Sequence, residues 1–153
     1  MKIVIQKVSQ ASVTVNNKII SKISKGYMLL VGISSEDTIE DINKLSNKVL
    51  NLRLFENPEK EGDYWRLNIK QIDNGQILSV SQFTLLARTN KGSKPDFHMA
   101  AKGHIAIDLY NEFLKNLRKE LGEDRVKDGQ FGAMMSCQLI NEGPVTILLD
   151  SKN

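Results

Sequence analysis

Apolar and polar residues alternate through the first part of the chain. Residues 2–8 carry apolar side chains on both parities, and residues 11–15 place alanine and two valines on one face and serine and threonine on the other. A period of two is typical of half-buried β-strands, so both stretches predict strands. A turn signal at 16–17 precedes an extended stretch at 19–20, and the nearly continuous apolar run 26–33 predicts a strand buried on both faces. Together they predict an antiparallel N-terminal meander.

Two stretches show the 3.6-residue spacing of amphipathic helices. The first opens at residues 34–37, where serines offer capping oxygens and two acidic residues favour the positive end of the helix dipole. Its apolar stripe consists of Ile39, Ile42, Leu45, Val49 and Leu52. The second places an apolar residue at every fourth position from Ala101 to Leu121 and ends at Gly122. Both stretches predict helices with one apolar face.

The remaining apolar stretches predict strands separated by loops. A turn signal at 73–75 precedes a predicted strand at 76–83. The residues from 87 to 98 form the longest stretch without a predicted element. Shorter predicted strands are residues 52–55, 125–127, 134–140 and 145–149. With two main helices and seven or more strands, we expect a single α/β domain over residues 1–153, built of mostly antiparallel β layers covered by helices rather than of strict βαβ alternation.

Composition and charge narrow the class of protein. Of 153 residues, 41% are apolar and 25% are charged, which is ordinary for a globular chain. The net charge of +3 permits an anionic partner without requiring one. No apolar run approaches the ~18–20 residues of a membrane helix, and the N-terminus lacks a signal-peptide core. One cysteine excludes an internal disulfide and fits a reducing compartment, so we expect a cytoplasmic protein with no membrane attachment.

Common catalytic and cofactor-binding motifs are missing from the sequence. His98 and His104 match no zinc-binding pattern, and Cys137 cannot complete a Cys/His cluster. There is no phosphate-binding glycine loop and no GxSxG elbow. Cys137 lies in an apolar strand pattern, which predicts a core residue rather than a nucleophile. We therefore expect neither a metal nor another cofactor.

Two short segments are candidates for a functional site: one is rich in polar side chains, and the other contains a Gly-Pro pair. Residues 81–85, Ser-Gln-Phe-Thr-Leu, follow a predicted buried strand and precede the loop, a common place for a binding site. Their side chains can orient a polar substrate and their backbone N–H groups can stabilise an oxyanion, although an ordinary strand edge has the same composition. Residues 141–146, Asn-Glu-Gly-Pro-Val-Thr, place Gly143 and Pro144 ahead of an apolar strand. The simpler interpretation of this segment is a turn between two strands.

Both segments resemble the two signature motifs of the D-aminoacyl-tRNA deacylases, also called D-tyrosyl-tRNA deacylases. Residues 1–8, 52–55 and 91–97 are also similar to that family. The resemblance covers essentially the whole chain. It implies a layered β/β/α fold and a homodimeric hydrolase that cleaves the ester between a D-amino acid, or glycine, and the terminal adenosine of tRNA.

The resemblance also implies roles for residues of this chain. The residues that line the pocket and face the scissile carbonyl are then Ser81, Gln82, Phe83 and Thr84. Gly143 and Pro144, joined by a cis peptide bond, enter the pocket of the other subunit, where their carbonyls leave no room for an L side chain. A carbonyl pair held by a proline ring is a rigid steric gate, whereas a flexible loop adapts to both enantiomers.

Two mechanisms stay open at this point. An aminoacyl ester is already activated, so positioning and oxyanion stabilisation supply most of what its hydrolysis needs. In the family, the terminal 2′-hydroxyl of the tRNA is thought to take part. The alternative is Thr84 as a nucleophile, for which the sequence places no obvious histidine.

Basic residues are candidates for contacts with nucleic acid. The loop before residue 98 carries Arg88, Lys91 and Lys94, which we expect to bind the acceptor end of tRNA. A second basic stretch comprises Lys115, Arg118, Lys119, Arg125 and Lys127. Such a pattern more often forms a solvent-exposed helix face than a binding surface. Two other functions are alternatives: a nucleic-acid-binding module without catalysis, and a small-molecule esterase, for which no serine–histidine arrangement is present.

Overall fold

One long strand, β1 (Lys2–Val15), holds the sheet together in the computed structural model, which describes residues 1–153. One edge of β1 pairs antiparallel with β2 (Lys18–Ile23) and β3 (Gly26–Gly32). The other edge pairs antiparallel with the last strand, β6 (Ser136–Asp150), over nearly its whole length. Both edges of β1 are therefore hydrogen-bonded, while one edge of β6 has no partner strand.

Two parallel strands extend the sheet beyond β3. β4 (Gln76–Ser81) pairs with β3, and β5 (Val126–Asp128) pairs with β4. Parallel neighbours require crossover connections, which here contain the two helices: α1 (Ile39–Asn51) between β3 and β4, and α2 (Gly103–Leu121) between β4 and β5. The mixed six-stranded sheet with two helices confirms the expected α/β fold class. Neither helix combines the length and the apolar character that a membrane crossing requires.

The buried core occupies both faces of the sheet and divides into two clusters. The larger cluster, of 23 residues, joins both helices to one face of the sheet, and the smaller, of 8 residues, lies on the other face. Within β1, Ile3 belongs to the larger cluster, whereas Ala11 and Val13 belong to the smaller. The change occurs at a β-bulge between Val8 and Gln10, where one extra residue in β1 inverts the alternation of side chains.

The strand predictions differ from the structure in number and continuity. The structure has six strands rather than seven or more. The stretches predicted at 134–140 and 145–149 fall largely within one strand, β6, and residues 52–55 contribute only an isolated bridge from Phe55 to Leu67. β1 likewise unites two predicted strands. Because a bulge breaks the sequence alternation, a continuous strand looks like two separate ones.

Helix α1 begins later than predicted: the sequence places its opening at residues 34–37, whereas the helix starts at Ile39. Those residues form a turn in which the Ser34 backbone N–H donates to the Asp37 carboxylate at 2.6 Å. Thr38 is the N-cap, and its backbone N–H donates to Asp41 Oδ2 at 2.9 Å. Lys152 Nζ donates to both Asp41 oxygens, at 3.0 and 3.1 Å. The Asp41 carboxylate therefore ties the start of α1 to the C-terminal segment.

Replacing Asp41 by asparagine is expected to lower the free energy of unfolding by about 1 kcal/mol at neutral pH, because the helix N-terminus and Lys152 lose a negatively charged partner. Partial burial raises the pKa of Asp41, but hydrogen bonds from Thr38, Ser151 and Lys152 outweigh it and hold that pKa well below its usual range. The native carboxylate thus stays charged below about pH 4, where the unfolded one takes up a proton, so its stabilisation fades as the pH falls from about 4.

Urea denaturation of the Asp41→Asn variant at neutral pH and at about pH 3 measures this difference. Asp108→Asn, on the exposed face of α2, is the control. An equal loss of stability at both pH values would contradict the prediction.

Candidate active site

The first signature motif lies where β4 ends and the chain turns. β4 ends at Ser81, and Gln82 leads into a 3-10 helix over Phe83–Leu86, so the prediction that the strand continues to residue 83 is wrong. The turn packs against Gly32 at the end of β3, where an added Cβ would lie 2.6 Å from Leu86 Cδ2. It would also lie 3.0 Å from Gln82 O and from Leu85 Cβ, so glycine favours this close approach, which lets the chain leave the sheet here.

A cavity of about 490 Å³ opens beside this turn. Its walls come from the ends of β3 and β4, the start of α2, residues 131–135 and the start of β6. Eleven of its fifteen lining residues are hydrophobic, and the other side chains on it are those of Ser81, Gln82 and Thr84, besides one glycine. Phe83 also lines it, so the structure brings together all four residues that the resemblance places in the pocket. An apolar cavity with a few converging polar groups is typical of a small-molecule site.

The Thr84 hydroxyl accepts a hydrogen bond from Gln82, but no general base lies beside it. Gln82 Nε2 donates to Thr84 Oγ1 at 2.6 Å. No imidazole or carboxylate hydrogen-bonds to this hydroxyl, and the His98 ring pairs instead with Asp96. The bond from Gln82 occupies an acceptor position of Thr84 and leaves the hydroxyl proton free to donate. This geometry favours Thr84 as a hydrogen-bond donor over Thr84 as an activated nucleophile.

Gly143 and Pro144 lie in an excursion of β6, and the interpretation as a turn between two strands is wrong. The six residues 141–146 face only the three residues 6–8 of β1, so the segment leaves the regular ladder. The Gly143–Pro144 peptide bond is cis, and Gly143 has a φ of +119°. Both residues are exposed, and neither lines the cavity. Within one chain, the two signature motifs are therefore apart.

The basic loop between the 3-10 helix and α2 is anchored against the same turn. Arg88 and Asp96 exchange two backbone hydrogen bonds, of 2.8 and 2.9 Å, which close the loop at its base. Phe97 meets Phe83 edge-on, with ring centroids 5.1 Å apart. Hydrogen bonds from the backbone N–H and the ring of His98 lower the pKa of the Asp96 carboxyl. Three cations of this loop are exposed and do not line the cavity: Arg88, Lys91 and Lys94.

Sequence reasoning missed a buried polar network behind the cavity. The Tyr110 hydroxyl donates to Asp128 Oδ1 at 2.6 Å and lies 3.0 Å from Ser79 Oγ. Burial raises the pKa of Tyr110 and of Asp128, so the phenol stays protonated and donates. Tyr110 also packs on Phe131, which belongs to the cavity wall, with ring centroids 5.9 Å apart. A tyrosine directly beside the apolar stripe of the predicted helix was the available signal, because a buried hydroxyl needs a partner.

Cys137 lines the cavity but is exposed, so the prediction that it is a core residue is wrong. It lies on β6, an edge strand whose outer side no further strand covers. Partial burial raises the pKa of its thiol, which keeps the thiol protonated and weakly reactive at neutral pH. No group of three His, Cys, Asp or Glu side chains is placed to hold a metal ion.

A larger concavity, of about 910 Å³, lies elsewhere on the molecule. It is formed by β1, β6 and α1, and Lys2, Lys44 and Lys48 are among its lining residues. Leu148 also lines it and is 76% exposed. The smaller cavity is the candidate active site, because only that cavity contains the polar motif at the end of a buried strand.

Sequence comparison relates the chain to known tRNA deacylases. A family model described as D-Tyr-tRNA(Tyr) deacylase matches residues 4–150. The chain is 67% identical over 151 residues to the D-aminoacyl-tRNA deacylase of Saccharomyces cerevisiae, covering 99% of each protein. It is 54% identical over 153 residues to the D-aminoacyl-tRNA deacylase of Flavobacterium psychrophilum, covering 100% of this chain and 99% of that protein.

Solved structures show the same fold. The structure of the c-Myc DNA Unwinding Element Binding Protein matches with a TM-score of 0.89 and 46% identity, covering 98% of both chains. That of a probable eukaryotic D-amino acid tRNA deacylase matches in fold with a TM-score of 0.85 at 22% identity, covering 97% of both chains. The family match over nearly the whole chain confirms the resemblance found in the sequence: the chain belongs to the D-tyrosyl-tRNA deacylase family, whose members are hydrolases of the aminoacyl-tRNA ester bond.

Proposed function

We propose that the protein hydrolyses the ester bond of D-aminoacyl-tRNA and releases a free D-amino acid and tRNA. The observation that carries this proposal is the convergence of the polar motif 81–84 on one largely apolar cavity in a chain of this family. The apolar walls receive the amino acid, while Ser81, Gln82 and Thr84 orient the ester. Because an aminoacyl ester is already activated, the reaction proceeds without a metal or cofactor.

The reaction requires attack by water, stabilisation of the oxyanion and a proton for the leaving group. Water attacks the carbonyl carbon, the bond to the ribose oxygen of the terminal adenosine breaks, and that oxygen takes up a proton. The backbone N–H groups of Phe83 and Thr84 begin the 3-10 helix and have no acceptor within it, so they can donate to the oxyanion. Since the cavity contains no carboxylate or imidazole, the adjacent 2′-hydroxyl of the tRNA relays the proton.

The proposal includes a homodimer in which Gly143 and Pro144 of each subunit enter the cavity of the other. This arrangement is supported by the exposure of both residues and by their separation from the cavity in one chain. It is also supported by exposed apolar side chains on β6, where Ile140 is 51% and Leu148 is 76% exposed. A two-fold axis gives two equal sites. The carbonyls of the inserted residues exclude an L side chain, whereas glycine, which has no side chain, is hydrolysed too.

The proposed contact with tRNA is the basic loop. Its exposed cations bind phosphates of the acceptor end, and the contact of Phe97 with Phe83 links the loop to the catalytic turn. The cations concerned are Arg88, Lys91 and Lys94. The proposed compartment is the cytoplasm, whose reducing conditions fit the single free cysteine.

A second candidate function is the binding of DNA. It is favoured by the 46% identity to a protein whose name describes binding to a DNA unwinding element. The same cations can contact the phosphates of either nucleic acid. Hydrolysis separates the two functions, because DNA binding alone leaves an aminoacyl ester intact.

The purified protein is expected to hydrolyse D-aminoacyl-tRNA and glycyl-tRNA and to leave L-aminoacyl-tRNA intact, as measured by loss of the labelled ester. Gly143→Ala is expected to lose D-aminoacyl activity without gaining L activity, because its Cβ would lie 2.7 Å from Val145 Cγ2 at a φ of +119°. Gly103→Ala is the matched control, since nothing lies within 4 Å of its added Cβ. Failure to hydrolyse any ester would refute the proposed function, and intact glycyl-tRNA would refute selection by exclusion.

Thr84→Val is expected to keep the single-turnover rate within about tenfold of wild type, because it removes one hydrogen bond to the substrate. A substrate whose terminal adenosine lacks the 2′-hydroxyl is expected to react about 100-fold more slowly or worse, because the proton relay is lost. Thr14→Val, outside the cavity, is the control. Complete loss of activity in folded Thr84→Val, together with normal hydrolysis of the deoxy substrate, would show that Thr84 is the nucleophile.

Dimers that carry one Gly143→Ala subunit and one Ala133→Trp subunit test insertion between subunits. The first substitution disables the inserted segment, and the second fills the cavity that Ala133 lines. Isolated through two different affinity tags, the mixed dimer has one intact site of two and is expected to show about half of wild-type activity, although each parent dimer is inactive. Two results would contradict the arrangement: an active protein that light scattering shows to be a monomer, or a mixed dimer without activity.

Replacing Lys91 and Lys94 by alanine is expected to raise KM for D-aminoacyl-tRNA and to reduce the slope of log KM against log salt concentration by roughly 1 to 2. The maximal rate is expected to change little, because neither side chain lines the cavity. The matched control removes the same charge from α2 through Lys115→Ala and Lys119→Ala. A change of slope in the control pair alone would place the tRNA on the second helix.

A further inference from the structure

The excursion of β6 is an exposed backbone segment with few partners in the sheet. Its residues 141–146 face only residues 6–8 of β1, and ladder pairs form only at its two ends. The backbone N–H groups between those ends have no strand partner, so another group must fix the shape of the segment. A loosely held segment would adapt to a neighbouring molecule instead of excluding it.

The Asn141 side chain bridges this excursion from one end to the other. Its Oδ1 accepts a hydrogen bond from the Val145 backbone N–H at 3.2 Å, and its Nδ2 donates to Thr146 Oγ1 at 3.0 Å. A carboxamide carries an acceptor and a donor on the same group, so one side chain makes both bonds. Asn141 thereby supplies the partner that β1 does not provide.

The bridge reaches the tip of the excursion through Val145. An added Cβ on Gly143 would lie 2.7 Å from Val145 Cγ2 and 3.0 Å from its backbone nitrogen, so the valine lies directly against the glycine. The φ of Gly143, +119°, is one that side-chain-bearing residues rarely adopt. Val145 also follows Pro144 directly in the chain, so a bond that fixes the Val145 backbone fixes one end of the tip formed by Gly143 and Pro144.

We propose that Asn141 is a positioning residue that sets the stereochemical selectivity of the site by holding the Gly143–Pro144 tip rigid. It acts through Val145 and Thr146 and does not touch the substrate. The inference rests on the proposed function, in which this tip excludes L side chains, and it names the group that makes the exclusion rigid.

The test compares kcat/KM for D- and L-aminoacyl-tRNA in variants at both ends of the bridge. Asn141→Leu keeps the side-chain size but removes both hydrogen bonds, and it is expected to lower the D:L ratio about tenfold or more. Thr146→Val removes one bond and is expected to lower the ratio about fivefold. Asn141→Asp is expected to restore most of the ratio, because its carboxylate accepts from Val145 and from a rotated Thr146 hydroxyl. Asn111→Leu, exposed on α2, is the control.

Amide hydrogen exchange gives a second readout that does not depend on activity. Exchange at Val145 is expected to be faster in Asn141→Leu than in wild type and unchanged in Thr146→Val, which keeps the bond to the Val145 N–H. A folded Asn141→Leu variant with an unchanged D:L ratio would overturn the inference and leave the proposed function standing. If that variant does not fold, an unchanged ratio in Thr146→Val overturns the inference equally.

A wild-type protein that hydrolyses D- and L-aminoacyl-tRNA equally would refute the proposed selectivity itself, whatever the Asn141 variants do. The inference about Asn141 would then fall with it. The wild-type ratio is therefore measured first, and the variants are compared with it.

Discussion

The pairing of β1 with β6 is the constraint on which both the core and the candidate site depend. Where β1 carries an extra residue, near Ser9, the alternation of its side chains inverts and one strand contributes to both hydrophobic clusters. Where β6 carries extra residues, Gly143 and Pro144 leave the ladder. The two irregularities are neighbours, opposite residues 6–10 of β1. A shift of this pairing by one residue would turn core side chains outward and also move the tip, so the fold and the proposed specificity share one register.

Periodicity predicted the elements whose shape depends on their own residues. α2 was expected from residue 101 to 121 and begins two residues later, and β3 is buried on both faces as its apolar run indicated. The cavity residues 81–84 are consecutive, so a single motif located all of them. Features that depend on a distant partner escaped prediction. A bulge depends on the strand opposite it. Cys137 is exposed because no strand lies beyond β6. The bond from Tyr110 to Asp128 forms only when two separate elements pack together.

The apolar walls of the cavity explain how a site with no acid–base pair can work. Hydrogen bonds to a developing negative charge are stronger where water is excluded, so a few fixed donors stabilise the oxyanion substantially. In the proposed mechanism these donors are the backbone N–H groups of Phe83 and Thr84, while Gln82 fixes the Thr84 hydroxyl by a hydrogen bond of 2.6 Å. A carboxylate in the same place would lose hydration and repel the oxyanion. The sparse polar content of the cavity is therefore compatible with hydrolysis of an activated ester in which, as proposed, the 2′-hydroxyl of the substrate relays the proton.

The unpaired edge of β6 gives a physical reason for a second subunit. A strand of 15 residues with a free edge is a template for unwanted strand pairing, and β6 also exposes the apolar side chains of Ile140 and Leu148. A second copy that covers this strand would bury that surface and would bring Gly143 and Pro144 to a cavity other than their own. In that arrangement, association and selection of the substrate would depend on the same surface, because the tip projects from the strand that the second copy covers. In the proposed arrangement, a lone subunit would have its cavity open to either enantiomer, so the proposed mechanism of selection requires the dimer.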